Sequence, residues 1–295
     1  MFENKTPTPL QKIDAEILKQ KNISLYIKRD DLIHEKISGN KWRKLKYNLI
    51  KARKCKFDTL LTFGGAYSNH IAATAAAAYE YGFKSIGIIR GDELNASSNK
   101  TLIRASQNGM DLHFISREKY RQKEQQEFIQ SLKKDFGNFY LIPEGGSNEL
   151  AVKGCTEIIS EIEEDFDYIV TAVGTGGTLA GITCALTSQQ TAIGICVLKG
   201  AQYLDDEVRK LITSYSSGQK LNWRIIHQYH LGGYAKSNST LDSFIQNFHQ
   251  THHIQLDPIY TGKMMMALFQ MISEDYFKSG DKIIALHTGG LQGIQ

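Results

Sequence analysis

Short apolar runs alternate with amphipathic segments of helical length along most of this 295-residue chain. Neighbouring parallel strands need a crossover connection, usually a helix, so this alternation predicts an α/β fold with a largely parallel sheet. Strands are predicted at residues 25–28, 59–63, 85–89, 112–115, 140–142, 168–173, 192–197, 223–227 and 282–286. Helices are predicted at residues 41–53, 69–81, 99–108, 122–136, 149–164, 205–214, 241–249 and 262–276.

The chain is long enough to bury two hydrophobic cores. No linker, repeat or low-complexity tract separates its halves. We therefore predict two open, twisted, mainly parallel sheets flanked by helices. A small inserted domain is expected at residues 45–145, and a large domain is expected to combine residues 1–44 with residues 146–295.

The composition excludes several classes of protein. Hydrophobic residues make up 41% of the chain and charged residues 22%, as in an ordinary globular protein. No window reaches the roughly 18 unbroken apolar residues of a membrane helix, and the first residues lack the apolar core of a secretion signal. No membrane association is expected, and a cytoplasmic location is predicted. The four cysteines form no CxxC pair, which argues against structural zinc and a disulfide scaffold.

The net charge of +4 is modest, and the densest basic segment runs from Lys41 to Lys56. Leu45, Leu49 and Ala52 recur through it at helical spacing, so most of its charges are expected on the solvated face of one helix. No recognised nucleic-acid-binding module or aromatic stacking pattern accompanies the segment. Nucleic-acid binding is therefore not expected.

Lys41 follows a Ser38-Gly39-Asn40 turn at the start of a predicted helix. Glycine permits backbone angles that are closed to other residues, and asparagine tolerates them. The turn would fix the direction in which the Lys41 side chain leaves the backbone, which makes its amine a candidate catalytic group. The alternative is that Lys41 is a solvated charge near a helix start.

A glycine-rich loop, Gly174-Thr175-Gly176-Gly177-Thr178, follows the predicted strand at 168–173 and opens a helix. Its glycines let backbone N–H groups approach an anion, its threonines add hydroxyl donors, and the helix N-terminus adds positive partial charge. The loop lacks the Lys-Ser/Thr of a P-loop. A dinucleotide-binding loop is followed about 20 residues later by an acidic residue that binds the ribose, but residues 191–199 contain no Asp or Glu. The loop predicts a monophosphate site, and a tight turn without a ligand is the alternative.

Further turns of this kind follow other predicted strands. Ser68-Asn69-His70 begins a helix after Gly64-Gly65, so Ser68 would cap that helix and the free N–H groups would suit a carboxylate. Tyr260-Thr261-Gly262-Lys263 opens the last long helix, and His287-Thr288-Gly289-Gly290 follows the last strand. Ligands gather outside the carboxyl ends of strands in such sheets. The alternatives are that Ser68 is only a cap and that His70 is structural.

Taken together, these motifs resemble the pyridoxal-phosphate enzymes of the 1-aminocyclopropane-1-carboxylate deaminase and D-cysteine desulfhydrase family. The resemblance rests on the Lys41 turn, the Ser68 turn, the glycine loop and the two C-terminal motifs, in this order, and it covers nearly the whole chain. It implies a tryptophan synthase β-like fold with the cofactor pyridoxal 5′-phosphate between two domains. It also suggests a homodimer that acts on a small amino acid.

The resemblance implies roles for individual residues. Lys41 corresponds to the lysine that holds the cofactor covalently and later moves protons, a task suited to an amine whose pKa a pocket can lower. Lys44 corresponds to a basic neighbour of the phosphate, Asn69 to the residue facing the cofactor 3′-oxygen, and Thr288 to the partner of the pyridine nitrogen. The residues matching the phosphate cup are Gly174, Thr175, Gly176, Gly177 and Thr178. The residues matching the substrate-carboxylate site are Ser68, Asn69 and His70, and those matching aromatics near the reacting carbons are Tyr234 and Tyr260.

The choice of reaction depends on Thr261 and Thr288. A hydroxyl does not hold the ring nitrogen protonated as a carboxylate does, so the cofactor is a weaker electron sink and elimination is favoured over amino exchange. Cyclopropane-opening relatives are expected to carry Glu and Leu at these two positions. The prediction is a lyase that releases pyruvate, ammonia and sulfide from a D-amino acid such as D-cysteine.

Two alternatives remain open. One is a true 1-aminocyclopropane-1-carboxylate deaminase, and the other is a non-catalytic protein that binds the cofactor or an amino acid. Tyr67, where the family usually has glutamine, and the short segment after Gly91 are departures that bear on the substrate pocket.

Overall fold

The computed structural model describes residues 5–37, 39–216 and 222–291. Ser38, the first residue of the predicted Lys41 turn, lies outside the described residues. The strands are β1 (Leu10–Ile13), β2 (Ser24–Lys28), β3 (Thr59–Gly65), β4 (Lys84–Arg90), β5 (Met110–Ile115), β6 (Tyr140–Ile142), β7 (Tyr168–Val173), β8 (Thr191–Cys196), β9 (Trp223–Ile226) and β10 (Lys282–Leu286). The helices are α1 (Glu16–Gln20), α2 (Asn40–Lys54), α3 (Asn69–Tyr81), α4 (Lys100–Gln107), α5 (Arg117–Tyr120), α6 (Gln126–Phe136), α7 (Glu149–Ser160), α8 (Gly177–Ala185), α9 (Leu204–Tyr215), α10 (Ser239–His252) and α11 (Thr261–Ser273).

The larger of the two described sheets has the strand order β1-β2-β10-β7-β8-β9. Strand β1 runs antiparallel to β2, and the other pairs are parallel. Strand β10 lies in the middle, where Ala285 pairs with Ile27 on one side and Val170 on the other. Its last four residues are fully buried, as expected for a parallel strand covered by helices on both faces.

The smaller sheet has the order β5-β4-β3-β6, and all its pairs are parallel. Helix α3 covers part of it with a segment, residues 72–78, that is alanine at every position except Thr74. Alanine favours the helical state and lets the helix approach closely. Ser68 caps α3 by accepting a hydrogen bond from the N–H of Ile71, as predicted. The predicted fold class, two mainly parallel sheets flanked by helices, is confirmed.

Several local expectations differ from the structure. The helix predicted at 122–136 begins at Gln126, and the short helix α5 before it was not expected. Strand β1 and helix α1 were not expected, because neither carries a long apolar run. The helix predicted at 149–164 ends at Ser160, and the carboxylate of its C-cap residue Glu161 pairs with Arg43 and Lys28. The boundaries predicted near residues 45 and 145 stay a prediction, although the strands of the smaller sheet all fall between those positions.

The basic segment on α2 is only partly solvated. Lys51, Arg53, Lys54 and Lys56 are exposed, as expected, whereas Arg43 and Lys44 are almost completely buried. The first half of α2 therefore belongs to the interior of the protein. Among the described helices, none combines the length and the apolar character needed to cross a membrane.

Candidate active site

The turn before α2 is held by two distant parts of the chain. Gly39 has a φ of +67°, and a Cβ at this position would lie 1.8 Å from the carbonyl oxygen of Thr288. The N–H of Asn40 donates to that oxygen at 3.2 Å, and the Asn40 side chain donates to the Thr178 hydroxyl at 2.7 Å. Only glycine fits this approach. Lys41 is thereby fixed relative to both the C-terminal turn and the glycine loop.

A cavity of about 470 Å³ lies at the carboxyl ends of strands from both sheets. Nearly all the residues that the sequence singled out line this cavity. Among the predicted site residues, the exception is Gly177, which is the first residue of α8 and is buried. The predicted residues that line it are Lys41, Lys44, Ser68, Asn69, His70, Gly174, Thr175, Gly176, Thr178, Tyr234, Tyr260 and Thr288. The structure therefore gathers these residues at one place, while their individual roles stay predictions.

The amine of Lys41 belongs to a partly buried side chain that faces this cavity. Burial lowers the pKa of Lys41 to about 7, with a further contribution from the like charge of Lys44. A substantial fraction of Lys41 is therefore neutral at physiological pH. A neutral amine can attack an aldehyde and accept a proton, whereas a solvated lysine remains charged.

The glycine loop has the features of an anion site. Gly176, with a φ of +76°, precedes α8, whose first N–H groups have no partner within the helix. Lys44 reaches the loop, with Nζ 3.0 Å from the Ser147 hydroxyl and 3.4 Å from that of Thr175. A Cβ at Gly177 would lie 2.7 Å from the Ser147 Oγ and 3.0 Å from the Lys44 Nζ, so the glycine keeps this approach open.

The turn at Ser68 presents the N-terminus of α3 to the cavity. The first N–H groups of a helix lack intrahelical acceptors and attract a carboxylate. His70 is 1% exposed, and its Nε2 lies 2.8 Å from the Thr62 hydroxyl. Burial, together with the charges of Lys41 and Lys44, holds the pKa of His70 well below its usual range. The His70 ring is therefore neutral and offers no positive charge to a substrate.

Two tyrosines form another wall of the cavity. The rings of Tyr234 and Tyr260 meet edge to face, with centroids 6.1 Å apart. Burial raises the pKa of both phenols, that of Tyr260 most strongly. The Tyr234 hydroxyl donates to the carbonyl oxygen of Tyr67 at 3.0 Å. Both phenols remain protonated at neutral pH and can donate hydrogen bonds.

The two threonines that guided the choice of reaction lie in different surroundings. Thr288 lines the cavity just after β10. Thr261 is fully buried, and its hydroxyl donates to Oδ2 of Asp257 at 2.6 Å. Position 261 therefore presents no acid to the cavity.

Arg90 and Glu144 also line the cavity but were not among the predicted site residues. Arg90 ends β4, and Glu144 follows β6 by two residues. A charged residue at the carboxyl end of a predicted strand was the signal that could have identified them. The Glu144 carboxylate accepts a hydrogen bond from Tyr120 at 2.8 Å, which holds it at the cavity edge.

Comparison with known proteins agrees with this geometry. The family model described as pyridoxal-phosphate dependent enzyme matches residues 1–289. A bifunctional D-cysteine desulfhydrase/1-aminocyclopropane-1-carboxylate deaminase, mitochondrial, of Arabidopsis thaliana is 34% identical, over 98% of this chain and 77% of its own length. A D-cysteine desulfhydrase of Klebsiella pneumoniae is 28% identical, over 98% of this chain and 93% of its own length.

A solved structure gives the same result for the fold. The crystal structure of a homologue of 1-aminocyclopropane-1-carboxylate deaminase superposes with a TM-score of 0.84 at 29% identity, and the match covers 97% of this chain and 90% of that one. A family match over almost the whole length, together with this fold, confirms the resemblance that the motifs predicted. The chain belongs to the pyridoxal-phosphate-dependent enzymes.

Proposed function

We propose that this enzyme catalyses β-elimination from a small D-amino acid such as D-cysteine, releasing pyruvate, ammonia and sulfide. The observation that carries the proposal is the hydroxyl of Thr288 at the cavity, in place of a carboxylate that would hold a ring nitrogen protonated. This partner leaves the cofactor a moderate electron sink. Removal of the α-proton and loss of a β-substituent need no more than that.

The residues of the cavity fit the cofactor. The cradle at Gly176 and Gly177, with Lys44 beside it, suits the dianionic phosphate, and the Lys41 amine suits the aldehyde. When bound, the cofactor supplies the electron sink for negative charge that develops at the substrate Cα. Lys41 and Lys44 lie one helical turn apart on α2, so one helix would supply both the amine for the aldehyde and a positive charge for the phosphate.

We expect the Ser68 turn to orient the substrate. The N-terminus of α3 and the side chains of Ser68 and Asn69, which line the cavity, would bind the substrate carboxylate. This contact fixes Cα with its proton towards Lys41, whose pKa of about 7 suits a group that accepts a proton at neutral pH. The neutral ring of His70 stabilises the turn through Thr62.

Tyr234 and Tyr260 are proposed to act at the β-carbon. Their raised pKa values keep both phenols protonated. Tyr260 would donate a hydrogen bond to the departing sulfur, as would Tyr234 once its hydroxyl leaves the Tyr67 carbonyl. Their rings also shield the reacting carbons from water. The site would thereby stabilise negative charge on the leaving group.

Opening of 1-aminocyclopropane-1-carboxylate, to 2-oxobutyrate and ammonia, is the second candidate. The names of the Arabidopsis relative and of the crystallised homologue favour it. The buried hydroxyl of Thr261, committed to Asp257, counts against it, because the glutamate expected in cyclopropane-opening relatives has no counterpart there.

Three broader expectations belong to the same proposal. We propose residues 45–145 as the small domain, a homodimer as the assembly, and the cytoplasm as the location. Light scattering of the purified protein tests the assembly, and a monomer would contradict it.

The reaction is tested by incubating the cofactor-loaded enzyme separately with D-cysteine and with 1-aminocyclopropane-1-carboxylate. Pyruvate and sulfide are expected from the first, with no 2-oxobutyrate from the second. Lys41→Ala should abolish product formation, whereas Lys51→Ala, at an exposed position of the same helix, should not. Release of 2-oxobutyrate alone would replace the proposed reaction by the second candidate.

A further inference from the structure

Lys263 is a buried cation that lies outside the cavity. It is on α11, three residues after Tyr260, and its exposure is 0%. Its ammonium donates to the carbonyl oxygen of His230 at 2.9 Å and to that of Gly233 at 2.7 Å. No salt bridge to Lys263 occurs in the described part of the chain. Burying an ammonium is costly unless its hydrogen bonds are well made, so this placement calls for an explanation.

The two carbonyls belong to a strained turn. Leu231 and Ala235 have φ values of +50° and +55°, in the left-handed region that residues with a side chain rarely adopt, and Gly232 and Gly233 between them also have positive φ. Strained backbone of this kind persists only when surrounding contacts hold it. Lys263 provides such a contact from a rigid helix.

Tyr234 is part of this turn. Its ring meets that of Tyr260, and its hydroxyl reaches across to the carbonyl of Tyr67, next to Ser68. The position of the turn therefore sets where the Tyr234 ring and hydroxyl lie in the cavity. Tyr260 is the N-cap residue of the helix that carries Lys263, so one helix supports both aromatic side chains.

We propose that Lys263 is a positioning residue that acts through Tyr234: its buried ammonium anchors the strained turn at residues 230–235 and thereby holds the Tyr234–Tyr260 pair in place. This inference rests on the proposed function for its effect on the reaction, since it assumes that Tyr234 acts on the substrate. Its effect on the turn does not depend on the reaction.

A double-mutant cycle on the cofactor-loaded enzyme tests the coupling. Lys263→Met keeps the length of the side chain but removes the donors, and it is expected to lower kcat by about tenfold to a hundredfold, because small displacements of reacting groups cost that much. KM should change far less. In a Tyr234→Ala background, where the turn no longer carries an aromatic side chain, the same change should lower kcat by less than about threefold. Equal losses in the two backgrounds would overturn the proposal.

Hydrogen exchange provides a readout that does not involve the reaction. Amides of residues 231–236 should exchange at least about tenfold faster in Lys263→Met than in the unaltered enzyme. Lys21→Met, which removes a lysine paired with Asp275 away from the cavity, should leave these amides unchanged. Unchanged exchange in Lys263→Met also overturns the proposal.

The outcomes separate this inference from the proposed function. If the enzyme does not act on D-cysteine, the proposed function fails, while hydrogen exchange still decides whether Lys263 holds the turn. If Lys263→Met does not fold, Lys263→Gln replaces it, because glutamine keeps an N–H donor without the charge. That variant should show intermediate exchange, and exchange equal to that of the unaltered enzyme would count against a role for the ammonium.

Discussion

Replacing Arg43 with methionine is expected to destabilise the protein by about 3–5 kcal/mol, the usual cost of removing one partner from a buried ion pair. Arg43 is 1% exposed. Its Nε and Nη2 donate to the Asp30 carboxylate at 2.6 and 2.7 Å. Its Nη1 and Nη2 also donate to the Glu161 carboxylate at 2.8 and 2.9 Å. Four charge-assisted hydrogen bonds are lost together.

The two carboxylates are affected unequally by this change. Asp30 is 0% exposed, and among the side chains of the described residues it would keep the hydrogen bond from the Thr8 hydroxyl at 2.7 Å. Glu161 would keep the ammonium of Lys28 at 2.9 Å. The uncompensated charge is therefore that of Asp30. Asp30→Asn removes this charge, so the double variant should recover at least about 2 kcal/mol of the loss.

The pH dependence gives a second measure of the same network. Burial raises the pKa of Glu161, but the bonds from Arg43 and Lys28 outweigh this and lower it from 4.5 to about 2. The folded state thus binds this proton more weakly than the unfolded state, so the stabilisation is complete above pH 4.5 and is lost as the pH falls towards 2. It amounts to at most about 3 kcal/mol, and it should shrink in Arg43→Met.

Urea unfolding followed by circular dichroism at pH 7 and at pH 3 measures these differences. Lys51→Met serves as the matched control, because Lys51 is exposed on the same helix, and it should change the free energy of unfolding by less than about 0.5 kcal/mol. A loss below about 1 kcal/mol in Arg43→Met, or a double variant no more stable than the single one, would refute the reasoning.

Three further predictions concern Lys41 and its turn. In the cofactor-free protein, the rate of covalent cofactor uptake, followed by absorbance, should rise with pH around a midpoint of about 7, because protonated Lys41 cannot attack the cofactor aldehyde. A midpoint near the pKa of free lysine would contradict the lowered pKa of Lys41. Lys44→Met should move this midpoint upward at saturating cofactor, because it removes the like charge that lowers the pKa of Lys41. A downward shift would contradict this role of the Lys44 charge. Gly39→Ala should abolish uptake through the clash with Thr288, whereas Gly137→Ala, also at positive φ but with open space around it, should retain uptake. Loss of uptake in both variants would assign the effect to backbone strain, and uptake by Gly39→Ala would contradict the role of the clash.

The elements that the sequence predicts well are those buried on both faces. The apolar run at 168–173 coincides with β7, because a central parallel strand admits no polar face. Strand β1 escapes prediction, because it is a short edge strand in which only Ile13 is buried. Pairing with a neighbouring strand, and not its own composition, makes it a strand.

The residues of the site also divide into those that the sequence predicts and those that depend on distant contacts. Glycine turns after strands predict where the cavity lies, because the carboxyl ends of parallel strands meet at one edge. Sequence spacing does not show that Arg43 is buried or that the exposed Arg90 lines the cavity. The burial of Arg43 depends on Asp30 and Glu161, the latter more than a hundred positions away in the chain.

The central place of β10 in the larger sheet has a consequence for biosynthesis. Its neighbours β2 and β7 emerge from the ribosome first, and about 110 residues separate β7 from β10. At roughly 5–20 residues per second, the nascent chain spends several seconds with these two strand edges unpaired. Thr288, which supports the Lys41 turn, lies two residues after β10, so a nascent chain that ends before residue 288 lacks this support for its lysine. Chaperone protection and the onset of cofactor binding should therefore both depend on translation of the same late segment.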